Sequence, residues 1–159
     1  MSRIHVPGAK VVNGWTLLQD PAFFEMYETL IKDVEVLREK HPDTYQKKVP
    51  TKILAGIEKL TKEVIPADPE SPTFDMGNTI GKEHRAWKRA KFLQQFRLFF
   101  RYDTKSKIII YGWVNDQDTK RAYGSKTDSY KIFRKRLAAG DPPTNWDDLL
   151  NRAIPVGQK

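Results

Sequence analysis

Between residues 86 and 115 the chain carries three runs dense in aromatic and β-branched side chains, almost without interruption. They are Ala86–Leu93, Phe96–Asp103 and Lys107–Asn115, separated only by Gln94-Gln95 and by Thr104-Lys105-Ser106. Gaps this short are too brief for a crossover helix, so the economical reading is three antiparallel strands in a meander. The rest of the chain has to pack around that sheet.

Helical spacing governs the residues before it. Asp20-Pro21 reads as an N-cap followed by proline in the first turn. Phe23, Tyr27, Leu30, Val34 and Leu37 then form one apolar stripe, with Glu25, Glu28, Lys32, Asp33 and Arg38 on the wet side, until His41-Pro42. A second stripe runs through Tyr45, Val49, Ile53, Ile57, Leu60 and Val64. Pro50 predicts a kink or a fresh helix start near Val49, and Pro66 closes the element. Trp15–Leu18 reads as a short strand after an Asn13-Gly14 turn, and residues 1–14 as a flexible arm. Beyond the sheet, Thr127 or Asp128 caps a helix with Tyr130, Phe133 and Leu137 on one face, which Gly140 and Pro142-Pro143 end. A last short helix carries Trp146, Leu149 and Leu150. The expectation is a single α+β domain over 1–159, with the helix pair on one face of the meander and C-terminal helices after it.

Composition narrows the chemistry. Cysteine is absent from the 159 residues, which excludes a disulfide scaffold, thiolate-bound metal and thiol catalysis. No apolar run approaches the length of a membrane span, and Met1–Pro7 lacks the apolar stretch of a signal peptide, so the expected setting is the cytoplasm. The net charge of +8 is unevenly placed. Residues 82–136 hold 16 basic and 5 acidic side chains, whereas the segments on either side are slightly acidic. Such segregation points to phosphates or to an acidic protein surface.

Strand alternation sorts those cations. Ala90, Phe92, Leu98 and Phe100 form the apolar set expected to face the helices. The opposite face then displays Arg89, Lys91, Arg97 and Arg101, with Trp87 and Phe99 between them. Cations interleaved with aromatics on an open sheet are a platform for single-stranded RNA, phosphates on the cations and bases on the rings. The third strand is apolar on both faces, so its phase is open.

Metal or triad chemistry has no support. His5, His41 and His84 are far apart in sequence, and neither a Ser-His-Asp pattern nor a phosphate-cradling glycine loop is present. RNA cleavage needs none of these, because its nucleophile is the substrate's own 2′-OH. The protein must accept that proton, stabilise the phosphorane and protonate the leaving oxygen, tasks open to Lys, Arg and Tyr. Tyr123, after Lys120-Arg121-Ala122, is the best hydroxyl candidate.

Three segments resemble the YhaV toxins: Phe96-Arg97-Leu98-Phe99-Phe100-Arg101-Tyr102, Ile109-Ile110-Tyr111-Gly112-Trp113-Val114-Asn115-Asp116, and Tyr123-Gly124-Ser125-Lys126-Thr127-Asp128-Ser129-Tyr130. Asn13-Gly14-Trp15, Pro142-Pro143 and Trp146 extend the resemblance over nearly the whole chain. YhaV proteins are similar to the RelE superfamily, whose members pack helices on an antiparallel sheet and cleave mRNA at the ribosome, and which includes the gyrase-poisoning ParE proteins. The resemblance implies a type II toxin, an mRNA interferase. A PrlF-like antitoxin with an AbrB-type swapped-hairpin DNA-binding domain would neutralise it, and the pair would repress its own operator DNA. The alternative is an inhibitor of gyrase or the ribosome with no chemistry of its own.

Carried over residue by residue, the family's basic pair falls on Arg89 and Lys91, its strand arginine on Arg97 and its tyrosine on Tyr123. The expected mechanism is transesterification without metal or other cofactor. Lys91 or Arg89 is the base, Arg97 and Arg101 stabilise the phosphorane, and Tyr123 orients the RNA or protonates the leaving group. Arg85, Trp87, Phe99, Arg121 and Lys126 would hold RNA. Arg97→Ala is expected to abolish growth arrest while leaving the fold intact. One departure stands out: Gln94-Gln95-Phe96-Arg97-Leu98 occupies the place where the family has Gly-Arg-Tyr-Arg-Leu, so one arginine and one phenol are missing.

Overall fold

The structure, a computed structural model, describes residues 8–115 and 128–157. Among these, six strands form one sheet. Its order is β1 (Lys10–Val12), β2 (Trp15–Gln19), β5 (Ile108–Val114), β4 (Phe96–Asp103) and β3 (Lys88–Phe92), with β6 (Ile154–Pro155) pairing β2. The β3–β4–β5 meander is antiparallel throughout, as its short connections require.

Two features at the other edge depart from expectation. β2 lies parallel to β5, with Leu17 opposite Ile109 and Leu18 opposite Ile110. Ile108–Val114 is buried along its whole length, so its second row of backbone groups needs a strand partner, and Leu17-Leu18, apolar on both sides, supplies one. Part of the expected arm is also ordered: Lys10–Val12 turns back on β2 through left-handed Asn13 and Gly14.

The helix pair forms as its stripes predict. Asp20 caps α1 (Pro21–Lys40) by accepting from the Ala22 amide at 2.9 Å. Pro50 sits in the first turn of α2 (Val49–Lys59) and so begins the helix. Leu60–Val64 widens into a π turn before α3 (Ile65–Ala67), because Pro66 has no N–H to continue the α ladder. Leu30, Ile53, Ile57 and Leu60 bury against Leu98, Phe100, Ile109 and Tyr111 on one sheet face.

The other face is covered too. Phe133 and Leu137 of α4 (Asp128–Ala138) and Leu149 of α5 (Trp146–Arg152) pack on Trp87, Phe99, Ile108, Ile110 and Trp113. The phase of β5 is set at Gly112. The register there jumps from Tyr111 opposite Phe100 to Trp113 opposite Phe99, leaving Gly112 as the extra residue of a bulge. That single residue puts Tyr111 on the α1–α2 side and Trp113 beneath α4.

Candidate active site

The basic face is not the open platform expected from the pleat. Trp87 and Phe99 have no exposure, and the Phe99 and Phe133 rings stack with centroids 4.1 Å apart. These two aromatics therefore belong to the core and have no face to offer a base. The alternation sorted the side chains correctly, but α4 lies over the middle of the face and divides its cations into two groups.

At one end α4 lowers Tyr130 between two strands. Arg89 of β3 donates from Nη1 to the Tyr130 hydroxyl at 3.1 Å, and Arg97 of β4 donates from Nε to the same oxygen at 3.2 Å. Both arginines are held by backbone. Arg89 Nη2 reaches the Asp75 carbonyl at 3.2 Å. Arg97, only 4% exposed, donates from Nη1 to the Gln94 carbonyl at 2.9 Å and the Phe96 carbonyl at 3.0 Å. Leu93 and Gln94 are both left-handed, a conformation that costs each about 1 kcal/mol or more and turns the Gln94 carbonyl back onto Arg97. Asn115 secures this turn, accepting from the Arg97 amide at 2.7 Å and donating to the Gln95 carbonyl at 3.1 Å.

The electrostatics follow. Burial alone pushes the Tyr130 phenol up, but the hydrogen bonds and charges of Arg89 and Arg97 outweigh it and leave it below an ordinary tyrosine. Two donated hydrogen bonds favour the phenolate, so this oxygen is prepared to hold or exchange a proton. Arg89 Nε is buried without an acceptor among the described residues, so part of that guanidinium is uncompensated. Lys91 lies opposite Arg97 in the β3–β4 register, on the same face, and is exposed. The result is a phenol backed by two fixed guanidiniums, with an exposed cation beside them. This arrangement suits a phosphodiester.

The remaining cations are elsewhere. Arg101, four residues along β4 and about 13 Å from Arg97, donates to the Thr144 carbonyl and covers the Trp146 ring at 5.3 Å. Thr144 also joins His84 Nδ1 at 2.7 Å and the Trp87 indole at 3.3 Å, so Arg101 belongs to a junction that anchors the 139–145 loop. Arg85 is exposed beside that junction. Tyr123, Arg121 and Lys126 lie outside the described residues. Expecting Arg97→Ala to spare the fold is also at odds with its burial, since the substitution would strand the Gln94 and Phe96 carbonyls.

Sequence reasoning missed Tyr130 and Asn115. Tyr130 shares the helical face of Phe133 and Leu137 and reads as core from spacing alone. The available signal was its hydroxyl, because a phenol packed against a strand that carries two arginines brings a polar tip to them.

The donor set also bears on metals: guanidinium groups repel a divalent cation. Among the described residues no cluster of three histidines or carboxylates is placed to hold one. No helix among them is long and apolar enough to cross a membrane.

Comparison with known proteins identifies the family. Residues 17–154 match the model of the YhaV toxin family, described as toxins with endonuclease activity of toxin–antitoxin systems. The Ribonuclease toxin YhaV of Escherichia coli K12 is 46% identical over 140 residues, covering 87% of this chain and 91% of its own. Toxin YhaV of Escherichia coli O6:H1 and of O157:H7 matches to the same extent. No solved structure matches. A basic, phenol-centred site on a helix-covered sheet, together with a family match over most of its length, makes this chain a member of the YhaV toxin family.

Proposed function

We propose that this toxin cleaves RNA by attack of the substrate's own 2′-OH, at the cluster formed by Arg89, Arg97 and Tyr130. The observation that carries the reading is the Tyr130 hydroxyl held between two guanidiniums at 3.1 and 3.2 Å. Arg89 and Lys91 bind the scissile phosphate and offset the charge that accumulates as the phosphorane forms. Arg97, fixed by the Gln94 and Phe96 carbonyls, holds the phenol in place and keeps it acidic. Tyr130 accepts the 2′-OH proton as phenolate. The 2′-oxygen then bonds phosphorus and the P–O5′ bond breaks. A proton from Lys91 or water completes the leaving 5′-hydroxyl, and a 2′,3′-cyclic phosphate remains.

The family match and the ribonuclease name of the K12 relative support RNA as the substrate. By the same resemblance, the substrate is messenger RNA, and a swapped-hairpin antitoxin both neutralises the toxin and represses their operator with it.

Single-turnover cleavage by the purified chain tests the site. Tyr130→Phe keeps the ring and its packing against Phe99, and is expected to slow cleavage about 10²- to 10⁴-fold with RNA affinity unchanged. Wild-type rates in that variant would remove Tyr130 from the chemistry.

A further inference from the structure

The helix that delivers Tyr130 inward carries cations outward. Lys131, Arg134 and Lys135 are all exposed, and their spacing puts them on one face of α4, away from Phe133 and Leu137. No ion pair among the described residues involves any of them. Helix stability does not account for the whole set: Lys135, in the last turn, is favoured by the helix dipole, but Lys131 near the N-terminal end is disfavoured, and like charges at these spacings repel. The charge of Arg134 contributes to lowering the pKa of His84, the residue before exposed Arg85. From Lys131 to Lys135 the helix rises about 6 Å, starting one residue from Tyr130.

We propose that the outer face of α4, extended by Arg85, is a track for the phosphates that flank the cleaved bond. It holds the RNA strand outside the reacting nucleotides and sets affinity rather than chemistry. This rests on RNA being the substrate of the Tyr130 cluster. A polyanion suits the surface better than a protein does. The exposed large apolar residues among the described ones are Val11, Val36, Val49, Val64 and Leu93, none of them on α4, and a protein interface needs an apolar centre.

The test uses the full chain and a variant that combines Lys131→Gln, Arg134→Gln and Lys135→Gln, all exposed positions outside the reacting cluster. Binding of a 2′-O-methyl RNA of about 20 nucleotides, which keeps the phosphates but blocks the nucleophile, is measured across salt concentrations. Each lost contact flattens the plot of log K against log salt by about 0.7, so the variant's slope is expected to be shallower by about 2. Cleavage of a tetranucleotide, too short to reach the track, is expected to proceed at the wild-type rate. An unchanged slope overturns the track, as does a comparable loss on the tetranucleotide, which would put these cations in the site itself. Loss of binding to an acidic protein partner with the RNA slope intact would assign the face to that partner and overturn it equally. If the wild-type chain neither binds nor cuts RNA, the reading of the cluster fails as well, and the tetranucleotide arm shows it.

Discussion

Tyr130 is where the residue-scale chemistry concentrates. Its phenol is pushed up by burial and pulled down further by Arg89 and Arg97, leaving it below the ordinary tyrosine value of 10.0. If the phenolate is the base, cleavage rises with pH as the phenol ionises, with the midpoint of the rise below pH 10 because Arg89 and Arg97 lower the group. A pH–rate profile checks this. The rising limb is expected in the wild-type chain and absent in Tyr130→Phe, and an identical limb in both would assign the ionisation to another group. The cations of this site were readable from alternation, since Arg89, Lys91 and Arg97 share a face by period alone. The phenol was not. Its helix lies outside the meander, and only docking of α4 decides which strand residues meet its hydroxyl.

At the scale of elements, two contacts decide how the strands and helices close over that site. Gly112 has no room for a side chain, because a Cβ there would come within 2.4 Å of the buried Trp87 ring and 3.3 Å of the Phe99 carbonyl. Gly112→Ala is expected to cost about 1–3 kcal/mol, measured as a lowered midpoint of denaturant unfolding. The second contact is His84 on Thr144. Burial lowers the His84 pKa most; Glu83 opposes this in part and Arg134 adds to it. With the folded value below the unfolded value of about 6.5, the unfolded chain takes the proton first. The His84 contribution to stability is therefore full above that pH and is lost as the solution is acidified through the folded value. Thermal unfolding is expected to show His84→Gln losing less stability than wild type on acidification below about pH 6.5. Equal pH dependence would place the titration elsewhere. The order of elements was legible from turns and stripes, and of the two outcomes Pro50 left open, a kink or a fresh start near Val49, the structure shows the fresh start. The bulge at Gly112 and the parallel pairing of β2 with β5 were not. A glycine within an apolar run does not announce a phase shift, and the pairing joins segments some ninety residues apart.

Taken whole, the molecule is a sheet covered on both faces, and that second cover is what the pattern of strand residues could not show. A face that alternates Arg and aromatic residues reads as an open stacking platform. Here α4 takes the aromatics into the core and leaves the cations at its margins, so the groups left at the surface suit phosphates rather than bases. Most of the excess positive charge in residues 82–136 then falls around one helix and the two strands beneath it. As proposed, this cluster cuts RNA through the 2′-OH without a metal. End-group analysis of RNA cut by the purified chain in excess EDTA tests it most directly. Ends bearing 2′,3′-cyclic phosphate and 5′-hydroxyl are predicted, with no cut at a nucleotide whose 2′-OH is replaced by hydrogen. Ends bearing 3′-hydroxyl and 5′-phosphate, or cleavage abolished by EDTA and restored by a divalent cation, would contradict it.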